Sequence, residues 1–343
     1  MKHLLNTLYV TSQGSYLSRE GETVLVKVDR EVKLRIPIHT LDGIICFGQV
    51  TCSPPLMQMC GERNVNISFL SEYGRFWARV QGPVSGNVLL RREQYRRADD
   101  VDFSSEVARN IVLAKIANSR VVLLRAQRDH QDSIDVDSIR KSIRHLARIA
   151  DKLKESVNAD TARGLEGEAA RVYFSVFSHL IIANKDDFFF HGRNRRPPMD
   201  NMNALLSFLY SLLVHDVSSA LEGVGLDPAV GFLHRDRPGR PGLALDIMEE
   251  LRSFFADRLA LSLVNRQQVK GKGFKKTESG AVLMNDETRK TILVAYQKRK
   301  QEEILHPFIK EKIAIGLIPH VQAMLFSRFL RGDIDGYPPF LWR

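Results

Sequence analysis

The residues that could do chemistry lie in three short stretches. In residues 231–252, His234 opens a loop that presents Arg235, Arg237 and Arg240 among Pro238, Gly239, Pro241 and Gly242. The prolines and glycines keep that loop out of helical geometry, so its cations sit on irregular backbone. From Leu243 onward the spacing predicts a helix: Leu243, Ile247, Leu251 and Phe254 form an apolar stripe, with Asp246, Glu249 and Glu250 on the opposite arc. An imidazole, several guanidiniums and a carboxylate pair in one stretch suit a hard divalent cation beside a phosphodiester. An amphipathic helix with a solvated acidic face would carry the same letters.

The second stretch, residues 159–178, predicts a helix in which two glutamates differ. Glu166 falls within roughly 60° of Ala162, Ala169, Ala170, Tyr173 and Phe177, a face of small and aromatic residues, whereas Glu168 shares the far side with Arg171. A carboxylate on such an inward face needs a partner: an arginine, the Tyr173 hydroxyl or a metal. An internal salt bridge would satisfy it without any catalytic role. In the third stretch, 186–210, Arg193, Arg195 and Arg196 precede Pro197 and Pro198, and Asp200 can cap the helix that buries Ala204, Leu205, Phe208 and Leu209. Guanidiniums on stiff backbone suit phosphate recognition; interhelical ion pairs are the plainer alternative.

These stretches need elements to hold them. Residues 1–82 read as a small all-β, sandwich-like domain, with runs at 8–11, 23–28, 32–36, 44–47, 65–69 and 76–81. One inserted helix has Ser53 as N-cap, Pro54 at its first position and Gly61 as its stop. Residues 83–86 read as a linker, and 87–343 as a larger all-α catalytic domain, giving an α+β chain. Its expected helices include 87–98, one from Ser104 with Lys115 and Asn118 near its apolar side, and about 138–154. A basic loop and hairpin fall near 268–285. The Gly271–Lys276 run lacks the spacing of a phosphate loop, and Tyr337-Pro338-Pro339-Phe340 reads as a docking tail.

The chain of 343 residues has 50 Lys and Arg against 40 Asp and Glu, a formal charge of +10 that favours a polyanionic partner. The expected location is the cytoplasm, since the start of the chain has no signal-peptide core. No run is expected to be long and apolar enough to span a bilayer, with 172–190 the nearest candidate. Cys46, Cys52 and Cys60 fit no zinc pattern and are expected as buried reduced thiols.

Three ordered motifs carry a resemblance: Gly164-Leu165-Glu166-Gly167-Glu168-Ala169-Ala170; Arg193-Asn194-Arg195-Arg196-Pro197-Pro198 with Asn203–Phe208; and Gly231–His234 with Leu245–Arg252. Together with Ile36–Ile38 and Phe47-Gly48, they resemble the CRISPR-associated integrase of spacer acquisition, across nearly the whole chain. The resemblance implies a metal-dependent nuclease and integrase that joins the 3′-hydroxyl ends of short double-stranded DNA to an array. It also implies a homodimer formed through the β domains and a small CRISPR-associated partner protein bridging two dimers. The implied metal ligands, for Mg²⁺ or Mn²⁺, are Glu166, His234 and Glu249, with Asp246 a further catalytic acid near the metal. Many relatives have Asp where this chain has Glu249, so direct ligation by Glu249 or by Asp246 stays open. Arg193, Arg195, Arg196, Arg237 and Arg240 are the expected DNA contacts. A structure-selective, junction-resolving nuclease and a non-catalytic basic DNA-binding scaffold are the alternatives.

Overall fold

The computed structural model of the chain describes residues 4–82, 87–155 and 158–342, so the expected linker at 83–86 lies outside the described residues. The chain starts with β1 (Asn6–Val10), β2 (Tyr16–Glu20), β3 (Thr23–Val28), β4 (Glu31–Pro37), β5 (Leu41–Phe47), β6 (Thr51–Cys52), α1 (Pro54–Glu62), β7 (Asn66–Leu70) and β8 (Phe76–Val80). One sheet has the order β1-β5-β7-β8 and the other β4-β3-β2-β6. β5 and β7 run parallel, which a tight hairpin cannot connect, and α1 lies in the crossover between them. The Ser53 side chain caps α1 by accepting from the Leu56 amide. Leu17, Val24 and Val26 from one sheet, Ile44, Cys46 and Ile67 from the other, and Leu56, Met59 and Cys60 from α1 form one core. Cys46 and Cys60 are buried and Cys52 is half-buried, all three as free thiols. Burial pushes the Cys46 and Cys60 thiols up to about 12.

The remaining elements are α2 (Val88–Asp99), α3 (Val101–Asp129), α4 (Val136–Lys152), α5 (Ala159–Ser175), α6 (Asn201–Gly223), α7 (Gly242–Glu249), α8 (Arg258–Asn265), β9 (Phe274–Lys276), β10 (Val282–Met284), α9 (Asp286–Gln301), β11 (Glu303–Leu305), β12 (Lys312–Ala314) and α10 (Ile318–Leu330). A π-helical stretch, Arg252–Asp257, separates α7 from α8. The expected single run of helix from Leu243 is therefore broken where Leu251, Phe254 and Phe255 all pack inside. α3 starts earlier than Ser104 because the Asp100 carboxylate caps the amides of Asp102 and Phe103, each at 3.0 Å.

Two compact units result: the β region with 284–302 and 314–317, and the rest of the chain. α9 thus clusters with the β region, on the buried stripe of Ile292, Leu293 and Tyr296. In the helical unit α3 packs on α4, α5, α7 and the π-helical stretch, and α6 on α7 and α10. By length and composition α6 could cross a bilayer, contrary to the reading that no stretch reaches that length. Its Leu205, Leu206, Leu209, Leu212 and Leu213 are buried within the protein, with His215 and Ser218 beside them. Residues 172–190 instead leave α5 at Ser175.

The last described segment is no free docking tail. Tyr337, Phe340 and Trp342 are buried, and the Trp342 ring lies between the guanidiniums of Arg125 and Arg258, at 4.1 and 4.3 Å. Asn118 pins this segment. Its Nδ2 donates to the carbonyls of Glu250 and Phe340, at 2.7 and 2.8 Å, and its Oδ1 accepts from the Trp342 amide at 2.8 Å. Replacing Asn118 by Ala would strand three buried backbone groups. Asn118→Ala is expected to cost on the order of 3 kcal/mol of stability in urea unfolding; a change below about 1 kcal/mol would contradict this role for Asn118.

Candidate active site

His234, Glu166 and Glu249 are carried by different elements, and polar contacts draw those elements together. The loop before α7 is tied to α5 by Arg163, whose Nε donates to the Leu233 carbonyl at 2.8 Å, and by Arg235, which pairs with both Asp160 oxygens at 2.8 and 3.0 Å. Gly231 and Gly242 let the two ends of the loop touch: a Cβ on Gly242 would lie 2.6 Å from the Ala229 carbonyl and 2.9 Å from the Gly231 nitrogen.

Asp246 organises the histidine. Its side chain is fully buried. It accepts from the amides of Phe232, Leu233 and His234 at 2.6, 3.0 and 2.9 Å. Its Oδ1 also lies 2.6 Å from His234 Nδ1. With Nδ1–H donated to Asp246, Nε2 keeps its lone pair and faces Glu249 Oε1 at 3.9 Å.

Glu166 and Glu249 meet at a residue the sequence reading left without a role. The Lys115 ammonium of α3 pairs with Glu166 Oε1 and lies 2.7 Å from Glu249 Oε2. Lys115 therefore compensates Glu166, where an arginine, Tyr173 or a metal was expected. Glu249 Oε2 makes no in-line hydrogen bond, so this contact is an ion pair. Glu249 Oε1 lies 2.9 Å from Arg252 Nη1. Burial works against the Glu249 charge, but Arg252 and Lys115 outweigh it and hold the carboxyl below its usual range.

No acidic face is solvated here: Asp246, Glu249 and Glu250 are all buried. Glu250 turns the other way, accepting from Tyr337 Oη, the Phe340 amide and Gln322 Nε2 at 2.7, 2.7 and 2.9 Å. Burial pushes its pKa up to about 7.

Behind the ion pairs lies a cavity of about 30 Å³, lined by Lys115, Tyr173, Arg193, Tyr210, Arg252 and Asp257 among others, a volume suited to ordered water. Tyr210 is stacked between Arg193 and Arg252, each 5.2 Å from its ring centre, and donates to Asp257 Oδ1 at 2.6 Å.

The expected arginines divide. Arg193 hydrogen-bonds to Asn203 Oδ1 at 2.7 Å and to Ser207 Oγ at 3.0 Å, so it braces its own loop. Arg195, Arg196 and Arg237 are exposed and Arg240 is half-buried. Burial, and then repulsion from Arg237, Arg163 and Arg195, lowers the Arg240 pKa, so Arg195 of the first basic loop is within electrostatic reach of Arg240 in the second. Lys115 and Arg252 were missed, yet Lys115 left a signal: a cation on the apolar side of α3, beside Ala114 and one turn before Asn118.

Among the described residues no three His, Cys, Asp or Glu side chains form a ready-made metal cage. Two carboxylates that share one lysine ammonium, with a histidine Nε2 3.9 Å from one of them, are nevertheless the donor types a hard divalent cation takes. The chain matches the family described as CRISPR associated protein Cas1 over residues 8–298, and it belongs to that family. It is 57% identical, over all of both chains, to the CRISPR-associated endonuclease Cas1 1 of Chlorobaculum tepidum. A solved CAS1 protein from Thermotoga maritima superimposes with a TM-score of 0.81 at 25% identity, covering 95% of this chain and 97% of that one. The fold is also that of a casposase bound to integration product, with a TM-score of 0.84 at 22% identity over 99% of this chain and 95% of the other.

Asp257 offers a check on the buried polar cluster. Burial raises its carboxyl to about 6, against the opposing pull of Tyr210, Tyr173, Arg252 and Arg193. The folded state therefore binds this proton more tightly than the unfolded chain does. Its stabilisation is complete at low pH and lost as pH rises from about 4 through about 6. Asp257→Asn removes that slope: the melting temperature of wild type relative to the variant is expected to fall between pH 4 and 6 and to level off above. Parallel profiles would contradict the raised value.

Proposed function

We propose that this protein is a divalent-metal-dependent DNA endonuclease and integrase of CRISPR adaptation, using Mg²⁺ or Mn²⁺ and joining 3′-hydroxyl ends of short duplex DNA to the CRISPR array. The observation that carries the reading is the convergence of Glu166 and Glu249 on Lys115, with His234 Nε2 3.9 Å from Glu249 Oε1, in a chain 57% identical to a Cas1 endonuclease.

Glu166, His234 and Glu249 would hold the metal. When bound, it would polarise the phosphodiester and stabilise the charge that develops as a 3′-hydroxyl attacks, or as water attacks in cutting. Asp246 is assigned to positioning: its acceptors are taken by three amides and by Nδ1, so it fixes the tautomer and direction of His234 and takes no place among the ligands. Lys115 and Arg252 keep Glu249 ionised in its buried setting. Arg195, Arg196, Arg237 and Arg240 would seat DNA phosphates along the two basic loops, with Arg193 holding the first loop in shape.

The proposed assembly is a homodimer made through the β region, bridged to a second dimer by a small CRISPR-associated protein. β4 supports the first half of this, being an edge strand with Val32 and Leu34 exposed.

A strand-transfer assay tests the reading, with a short duplex bearing 3′-hydroxyl ends, supercoiled plasmid, Mn²⁺ or Mg²⁺ and the partner protein. Wild type is expected to join DNA only with metal, and His234→Ala to lose about 100-fold or more. Metal-dependent cutting without joining would point to a structure-selective nuclease. Equal joining by the variant would remove His234 from the site.

A further inference from the structure

α4 carries a feature that the proposed chemistry does not use. Its Ile139, Ile143, Leu146 and Ile149 are buried, whereas Arg140, Lys141, Arg144, His145, Arg148 and Lys152 are exposed. At 100° per residue these six side chains span an arc of roughly 140°. Two of them are already engaged: Arg140 pairs with Asp137 at 3.1 Å and His145 with Glu168 of α5 at 2.9 Å.

The other four form a ridge. Among the described residues no carboxylate lies within ion-pairing distance of Lys141, Arg144, Arg148 or Lys152. Their spacings of three and four residues put like charges side by side on the helix, a destabilising pattern that glutamates at the same spacing would relieve. The ridge is about 16 Å long at 1.5 Å per residue. Over that length a DNA strand presents roughly five phosphates.

The position of the ridge separates it from the reacting centre. α4 packs against α3 and α5, and Glu168, which anchors His145, projects from the opposite side of α5 to Glu166. One helix, about 10 Å thick, therefore stands between the α4 ridge and the ion-pair site.

We propose that Lys141, Arg144, Arg148 and Lys152 form a second DNA-contacting surface that grips the phosphate backbone of a duplex away from the reacting ends. This inference rests on the DNA-processing reading above. An acidic peptide would need apolar or directional contacts for specificity, and the ridge offers four cations, the exposed acids of the same face, Asp137 and Asp151, being paired with Arg140 and Lys154. The regular anionic lattice of a duplex matches it better.

The test compares the full-length wild type with a Lys141→Gln, Arg144→Gln, Arg148→Gln, Lys152→Gln variant whose circular dichroism and melting temperature match wild type. Binding of a 40-bp duplex is followed by fluorescence anisotropy at several salt concentrations. The variant is expected to bind about 10-fold or more weakly and to lose about 3.6 from the slope of log K against log salt. Its single-turnover processing of saturating DNA is expected to stay within about two-fold, because no residue of the site is touched. Unchanged affinity and slope, in a preparation that still processes DNA, would overturn the proposal alone. A wild type that neither binds nor processes DNA would overturn both readings. Loss of binding to phosphatidylserine vesicles with duplex binding intact would replace DNA by an acidic membrane.

Discussion

The ammonium of Lys115, shared by Glu166 and Glu249, is the interaction on which the helical unit turns. Glu249 is almost wholly enclosed, and a lone carboxylate there would protonate or pull the structure open. Lys115 from α3 and Arg252 from the π-helical stretch keep it charged, and Glu166 of α5 completes the cluster. α3 does this with one face: Lys115 reaches the ion pairs, and Asn118, a turn later, ties the Glu250 carbonyl to the segment ending at Trp342. The two adjacent glutamates at the end of α7 are thus held from opposite sides, one by charge and the other by hydrogen bonds.

The histidine arm depends on the same rigidity. Asp246 spends its acceptors on three consecutive amides and on Nδ1, so the direction of His234 is set by backbone and carboxylate together. Arg163 and Arg235 fasten the loop to α5, the helix that also carries Glu166. Around this centre positive charge is arranged in tiers: Lys115 and Arg252 inside, Arg195, Arg196, Arg237 and Arg240 on the neighbouring loops. A polyanion approaching such a surface meets cations before it meets the carboxylates.

How much of this could be read from the letters depends on the physics involved. Local rules served well: Ser53 and Asp200 cap their helices, the 2-residue period marks most strands, and the 3.6-residue period places Glu166 on an inward face. β2, with the polar sequence Tyr-Leu-Ser-Arg-Glu, and the two-residue β6 carry no such period, since their pairing partners define them. Long-range partners were also illegible. Lys115 and Glu166 are 51 positions apart, and Tyr337 and Glu250 are 87 apart, so neither local periodicity nor composition could match them. For the same reason the acidic arc of α7 could pass for a solvated face, and the tyrosine-bearing tail for a docking peptide. Each is buried against elements whose neighbours only the fold supplies.

The central claim, that Glu166, His234 and Glu249 hold a divalent cation where Lys115 now bridges the carboxylates, is open to direct observation. The measurement is anomalous diffraction from crystals of the protein soaked in Mn²⁺. A manganese peak ligated by Glu166, His234 Nε2 and Glu249, with Asp246 still bound to Nδ1 and the Lys115 ammonium displaced, is the expected result. A peak elsewhere, or one that takes Asp246 as a ligand in place of Glu249, would contradict it.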